Sequence, residues 1–405
     1  MHVLFVSTRS PYPLNGGHPL RTYHTLREAA KRHYVSFLTF IQHEDEWDGL
    51  SVLEEFCEDV VALPVPADER KAALGAGLVG NIASRRPFVA QKYETHAMRH
   101  AIRQVVETSP VDLLHLDMLP LSVYRRDAGL VPVVQVDHNV EYILLERRAK
   151  TEGGLARMFW AQQARRLKRF EAEAIGAATR TIAVSDIDAA ILRELAPGAE
   201  VRTVPNGVDV DFFEPADQPP EPDELVFVGA MTHYPNVDSV RFFVDEIWPR
   251  IRAVRPNAHF TVIGPHPPES VLAYGRLPGV TVAGLVPDIR PFVAKAAVYV
   301  VPLRVGGGTR LKILDAMAMG KAIVSTAVGC EGLEVTDGAD IAVEDTPDAF
   351  AARVLGFMAD ATARDSMGRA ARATAERLYG WPRLGEMQEA VYQEARAAWR
   401  AEEAG

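Results

Sequence analysis

Short apolar runs separated by longer amphipathic stretches recur along this chain, and that alternation restricts its fold more than any other feature. In the first half the runs are Val3–Ser7, Val35–Ile41, Val60–Val65, Asp112–Leu116, Val131–Val136 and Thr181–Val184. Several are apolar throughout, as strands covered on both faces of a parallel sheet must be. Helical stretches such as Pro19–Arg32 and Tyr93–Thr108 lie between them. The pattern breaks at Val204-Pro205-Asn206-Gly207-Val208-Asp209, which is turn chemistry, and at Glu214–Glu224, whose proline and acid content reads as a linker. A second set of runs follows at Leu225–Gly229, His259–Gly264, Val280–Val282, Ala297–Pro302 and Lys321–Ser325. Two long helices, about Asp348–Tyr379 and Trp381–Glu402, are expected to close the chain. The reading is α/β, with two doubly wound domains facing across a cleft and ligands at the carboxyl ends of their strands.

Two domains also suit a chain of 405 residues, at roughly 100–200 residues per domain. The formal net charge of -10 opposes non-specific attraction to nucleic acid, so no nucleic-acid partner is expected. Cys57 and Cys330 stand apart from any metal-type or redox-type pair. That argues against a disulfide framework and for a reducing compartment. No apolar run approaches the ~18 residues of a membrane span, and Met1–Pro13 reads as a first strand and not a signal peptide. The location expected is cytoplasmic.

The strongest local element runs from Pro302 through Leu303-Arg304-Val305-Gly306-Gly307-Gly308-Thr309-Arg310-Leu311-Lys312 to Asp315 and Gly320. A buried strand enters a glycine loop, and the loop opens a helix that Gly320 ends. Glycines let backbone amides approach a ligand, and a helix start offers free N–H groups and a partial positive charge, which together suit a phosphate. Arg310 and Lys312 add two cations where cations disfavour the helix, so a bound anion explains them. A tight turn with two solvated basic residues is the plainer alternative. A weaker counterpart follows the first strand, where Gly16 and Gly17 precede a helix. Asp137-His138-Asn139-Val140-Glu141 follows a buried strand, where His138 serves either to meet a substrate or carry a proton, or simply as part of a strand-end cap with Asn139 starting the next helix.

Other features carry less. Asp186-Ile187-Asp188 and Asp209-Val210-Asp211 have Asp-x-Asp form, but the first opens a helix after Ser185 and the second lies in the linker turn, so capping and solvation account for both. His43-Glu44-Asp45-Glu46 reads as an acidic helix start. No cluster has zinc spacing, and no metal is expected. Arg157, Arg165, Arg166, Lys168 and Arg169 share a helix with an apolar stripe of Trp160, Ala164, Leu167, Phe170 and Ala174. Such a helix can rest on an anionic membrane as a peripheral contact, or pack into the core and solvate its basic face.

Taken in order, these segments resemble the retaining GT-B glycosyltransferases of the family-4 type, over nearly the whole chain. The resemblance is carried by the opening strand with Gly16-Gly17, Ile182-Ala183-Val184-Ser185, Val204–Asp209 with Phe212 and Pro215, and Gly306–Gly320. Val228-Gly229-Ala230-Met231 with Pro235-Asn236-Val237-Asp238, the Asp137–Glu141 stretch and Glu331-Gly332-Leu333 look like a subgroup linked to exopolysaccharide and cell-surface sugar assembly. The resemblance implies a Rossmann-like acceptor-side domain at 1–208, a Rossmann-like donor-binding domain at 209–378, and a helix at 379–405 crossing back to the first. It implies transfer of a sugar from a nucleoside-diphosphate sugar to a glycan, lipid-linked or small-molecule acceptor, with retention and with no cofactor or metal.

The family pattern places a Glu, seven residues and a second Glu. Asp315 stands at the second position, which implies contact with the ribose hydroxyls, and Gly307 stands at the first, where a Glu would touch the donor sugar. The usual Arg and Lys after the strand ending at Gly229 are replaced by Ala230, Met231 and His233, so Arg310 and Lys312 are expected to take the phosphate role. His138, Arg310 and Lys312 are thus the catalytic candidates, and Gly16, Gly17, Gly306, Gly307, Gly308, Thr309 and Asp315 the donor-binding ones. A nucleotide-sugar epimerase and a non-catalytic nucleotide-sugar-binding subunit remain as alternatives.

Overall fold

The structure is a computed structural model that describes residues 1–14, 17–65, 81, 84, 86–305 and 310–403. Gly16, Gly306, Gly307, Gly308 and Thr309 lie outside the described residues. The chain divides into two compact units, Met1–Pro205 with Leu384–Gly405, and Asn206–Arg383. The sequence placed the divisions at 208/209 and 378/379, a few residues away from these.

The first unit is built on a seven-stranded sheet in the order β3-β2-β1-β4-β5-β6-β7. The strands are β1 His2–Ser7, β2 Tyr34–Ile41, β3 Asp59–Pro64, β4 Leu113–Asp117, β5 Val133–Asp137, β6 Arg180–Ala183 and β7 Val201–Thr203. All neighbours are parallel. β4 and β5 are buried along their whole length, which is why their sequences are mostly apolar, with one buried polar residue inside each, His115 and Gln135, and an aspartate at each end. The order reverses between β1 and β4, and the register aligns Ser7 with Asp117, so the ends of these two strands share one edge.

The expected helix over 93–108 is two helices, Phe88–Tyr93 and His96–Thr108. Thr95 adopts extended backbone and its hydroxyl accepts from the Met98 amide, which caps the second helix and stops the first. Helix Gly154–Ala177 buries Ala164, Leu167 and Ala174, and the Arg148 guanidinium stacks on Trp160 at 3.8 Å. The apolar stripe is thus used in packing. No helix among the described residues is long and apolar enough to cross a membrane. The closing helix, Trp381–Glu403, joins this unit from Leu384 onward: Tyr392 places its hydroxyl 2.6 Å from His115 Nδ1, and Arg396 pairs with Asp112. Gly385 is required there, because a Cβ would come within 2.7 Å of the Glu28 side chain.

The second unit has a six-stranded sheet, β10-β9-β8-β11-β12-β13. Its strands are β8 Glu221–Val228, β9 His259–Ile263, β10 Val280–Gly284, β11 Ala296–Val301, β12 Ala322–Ser325 and β13 Ala342–Val343, again all parallel. β8 begins inside the segment expected as linker, and its acidic residues explain this: Glu221 and Glu224 both pair with Lys295. The core beneath is aromatic, with Phe243 and Phe260 rings 4.3 Å apart. The expected helix over 348–379 is broken at Asp360 into Pro347–Ala359 and Ala361–Thr374, followed by a wider turn to Tyr379. The Asp360 carboxylate accepts from the Ala363 amide and starts the second piece.

Candidate active site

The second unit's switch point lies between β8 and β11. β11 leads through Pro302 toward helix Leu311–Ala318, which ends where Gly320 adopts the left-handed conformation at φ 63°. Arg310 precedes the first turn of that helix, and Lys312 lies within it. The two cations are placed differently. Arg310 is buried, donates to the Val328 carbonyl at 2.9 Å and lies 3.8 Å from Glu331. Lys312 donates to the amide oxygen of Asn236 at 2.5 Å, and Asn236 is oriented by its own bond to the Ala230 carbonyl. Among the described residues, no carboxylate pairs with Lys312. Burial, helped by Arg310, pushes its ammonium down to about 7.

Gly229 makes this arrangement possible. A Cβ there would lie 2.7 Å from the Lys312 Nζ. The ammonium therefore occupies the space beside the end of β8. Asp315, half-buried on the same helix, has its carboxyl pushed up to about 7 by burial. Arg304 is already engaged: it forms a bidentate pair with Asp238 at 2.7 and 3.1 Å. That pair gives Asp238 a structural purpose, and Asn236 serves Lys312.

In the first unit three side chains converge at the β1/β4 edge. His138, one residue past β5, places Nε2 2.7 Å from Asp117 Oδ1. Thr22 donates its hydroxyl to Asp117 Oδ2 at 2.5 Å. His18, in the first turn of the helix that Gly17 opens, has Nε2 3.5 Å from the same oxygen. Burial would raise the Asp117 carboxyl, but the two histidines outweigh it and hold it well below the usual carboxylate range. Burial pushes His138 down to about 4, so its imidazole stays neutral. Arg21 is buried beside them and donates to the carbonyls of Val204 and Pro205.

The sequence missed Asp117 and His18. Asp117 is the polar residue just beyond the expected run Asp112–Leu116, and His18 adjoins Gly17; polarity at a buried strand's end was the signal available. Two imidazoles and a carboxylate can also hold a transition metal, and the ligand atoms of His18, Asp117 and His138 lie within 4.8 Å of one another. Both Asp117 oxygens, however, already accept protons from Thr22 and His138, so the arrangement reads as a hydrogen-bond network.

Next to it, the helix start expected at Asn139 is arranged otherwise. Val140 holds the cap position of helix Glu141–Thr151 with no side-chain bond, and Glu171 reaches across to accept from the Glu141 and Tyr142 amides at 2.9 and 3.0 Å. Burial pushes Glu171 up to about 9, Glu141 to about 7 and Asp137 to about 8. The two Asp-x-Asp segments are capping groups: Ser185 accepts from the Asp188 amide, and Asp209 from the amides of Asp211 and Phe212. The acidic stretch His43–Glu46 opens the short helix Asp45–Asp48, as expected, and Glu46 has a further role. It is fully buried, paired with Arg9 and accepting from the Gln42 amide.

Comparison with known proteins agrees with this architecture. Residues 15–212 match the family described as Glycosyltransferase Family 4, and residues 222–360 the family described as Glycosyl transferases group 1. No curated protein matches the chain significantly in sequence. Among solved structures it is similar to sucrose-phosphate synthase from Thermosynechococcus elongatus, with TM-score 0.69 and 16% identity over 98% of this chain and 100% of that one. It is also similar to HepE from Anabaena, solved in complex with UDP and glucose, with TM-score 0.64 and 13% identity over 97% of this chain and 99% of HepE. A third is TarM from S. aureus, with TM-score 0.65 and 8% identity over 96% and 99% of the two chains. At these identities the likeness is one of fold. The chain belongs to the glycosyltransferases, with a family 4 domain in its N-terminal part and a group 1 domain in its C-terminal part, on the GT-B fold.

Proposed function

We propose that the chain transfers a sugar from a nucleoside-diphosphate donor to a hydroxyl of a glycan, lipid-linked or small-molecule acceptor, with retention and without a metal. The observation that carries the donor reading is Lys312. A half-buried ammonium held by a neutral amide and set beside Arg310 is a cation without a counter-charge among the described residues. A diphosphate supplies that counter-charge, and it does so most strongly when the sugar leaves and negative charge collects on the phosphate oxygens. Preorganised cations aimed at developing charge are a large source of rate. Asp315, on the same helix as Lys312, is suited to accept hydrogen bonds from ribose hydroxyls. His138, neutral and fixed by Asp117, serves the sugar or the acceptor as a hydrogen-bonding group. Retention and the cell-surface class of acceptor rest on the family resemblance. UDP is the nucleotide to try first, because HepE, similar in fold, was solved with it.

The test is a panel of nucleotide sugars with and without candidate acceptors, read as acceptor-dependent release of nucleoside diphosphate. Release is expected with at least one donor. Affinity without turnover would leave a binding subunit, and conversion of the donor sugar without release would leave an epimerase.

A further inference from the structure

We infer that the second unit carries a separate site for a phosphate-bearing small molecule, at the sheet edge opposite Lys312, with Lys321 and Arg364 as the cations that meet the phosphate. The inference stands apart from the glycosyl-transfer reading. A crevice of about 540 Å³ opens within this unit, inside the range of small-molecule sites. It is lined by Ala297 near the start of β11 and Ala322 at the start of β12. Lys312 belongs to the helix reached from the other end of β11. The crevice is therefore not the ligand cleft that this topology supplies at the carboxyl ends of its strands.

The sequence of helix Ala361–Thr374 explains how the crevice is built. Arg364, Gly368 and Arg372 recur every four residues and so share one face. A Cβ at Gly368 would collide with the Gly320 carbonyl, so glycine lets this helix approach the turn that carries Lys321. Arg372 is structural: it donates to the carbonyls of Val210, Phe213 and Ala318 and pairs with Glu376. Lys321 and Arg364 are engaged far less, although each is only 7% exposed. Lys321 donates to the Ala294 carbonyl at 3.0 Å, one bond of the three its ammonium can make. Arg364 donates Nη1 to the Phe357 carbonyl at 3.2 Å, and its Nε is buried with no hydrogen-bond partner. Among the described residues, no carboxylate accepts a hydrogen bond from either cation. Asp365 stands 3.7 Å from Arg364 Nε with its own side chain 55% exposed, so it can turn outward. Burial, helped by Arg364, pushes the Lys321 ammonium down to about 8.

Two buried cations with unused donors are costly until an anion meets them. A phosphate monoester brings nearly two negative charges and three acceptor oxygens, and a guanidinium fork suits it. A carboxylate brings one charge. Pro215, Pro219, Pro220 and Met319 give the lining an apolar surface for the body that carries the phosphate.

The experiment titrates the full chain with glucose 1-phosphate, inorganic phosphate and glucose, read by calorimetry and by Tm. Glucose 1-phosphate should bind and raise Tm, inorganic phosphate should bind more weakly, and glucose should not bind. Lys321→Gln should weaken glucose 1-phosphate binding on the order of 10–100-fold, the loss of a hydrogen bond to a charged group. Arg369→Glu changes an exposed residue of the lining, so the fold is not at stake. It should weaken binding about 2–5-fold, the scale of an exposed charge pair. Lys312→Ala should leave this affinity unchanged. Affinity lost in Lys312→Ala and kept in Lys321→Gln and Arg369→Glu would place the phosphate at the donor side and overturn the inference. A wild-type chain that binds neither phosphate compound would overturn it as well. Inorganic phosphate binding as tightly as glucose 1-phosphate would show an ion site alone and overturn the small-molecule reading.

Discussion

The switch points of the two units have the same topology and treat charge in opposite ways. In the first, between β1 and β4, Asp117 is met by Thr22, His138 and His18, and Arg21 by two carbonyls, so the charges are satisfied within the unit. In the second, between β8 and β11, Lys312 is held by a neutral amide. A self-satisfied network fixes tautomers and holds side chains in place for hydrogen bonding. A cation with no anion is an energetic cost that a ligand can relieve. Topology therefore sets where chemistry sits, and the polar residue at each strand end or loop decides which chemistry it is.

The largest effect should come from breaking the second site. Lys312→Ala should cut turnover on the order of 10²–10³-fold, as for loss of a donor acting on developing charge. UDP affinity should weaken with it, by the ~1.5–3 kcal/mol of a hydrogen bond to a charged group, whereas uridine affinity should barely change. The fold should stand, because the helix start gains when a cation is removed from it. Calorimetric titration with both ligands reads this directly, and equal losses for UDP and uridine would refute the diphosphate placement.

A smaller and differently shaped effect is expected in the first unit. His138→Ala should lower kcat about 10²-fold, the low end for loss of a hydrogen-bonding group that acts in the transition state, with UDP affinity unchanged. Loss of UDP affinity in step with turnover would place His138 on the nucleotide and erase the contrast between the units.

Much of this was legible before the fold was seen, for definable reasons. The strands at the switch points are mostly apolar, so β1, β4 and β11 announce themselves. Element ends were less legible, because Thr95 and Asp360 break helices by capping within otherwise continuous helical patterns. Lys312 and Asp315 stand in one short motif and could be read locally. Asp117 could not, since its meaning comes from His18 and His138, brought to it by sheet order. Gly229 and Asn236 were visible only as family-like residues. Their purpose, making room for the Lys312 ammonium and orienting it, appears only when β8 and the helix at Leu311 are side by side.

The smallest effect concerns one buried group of the first unit that is left partly unpartnered. Asp137 accepts from Gln135 on Oδ1, but its Oδ2 is buried without a partner. Burial raises its carboxyl from the ordinary 3.8 to about 8. Between those two values the folded chain holds a proton that the unfolded chain releases, so this group lowers stability progressively as pH rises through that window. His138 acts in the other direction inside the same window: its folded value of about 4 against 6.5 costs stability as pH falls from 6.5 towards 4. Asp137→Asn keeps the shape and removes the titration. The variant should match the wild type below about pH 4, gain steadily as pH rises from there, and reach its full advantage above pH 8. On a scale of roughly 2–4 °C per kcal/mol for a unit of this size, the gain should be a few degrees in Tm at high pH. Melting curves at acidic, neutral and alkaline pH decide it. An advantage that is the same at every pH would show that Asp137 affects packing alone, and one that shrinks as pH rises would show that its carboxylate is already stabilised in the folded unit.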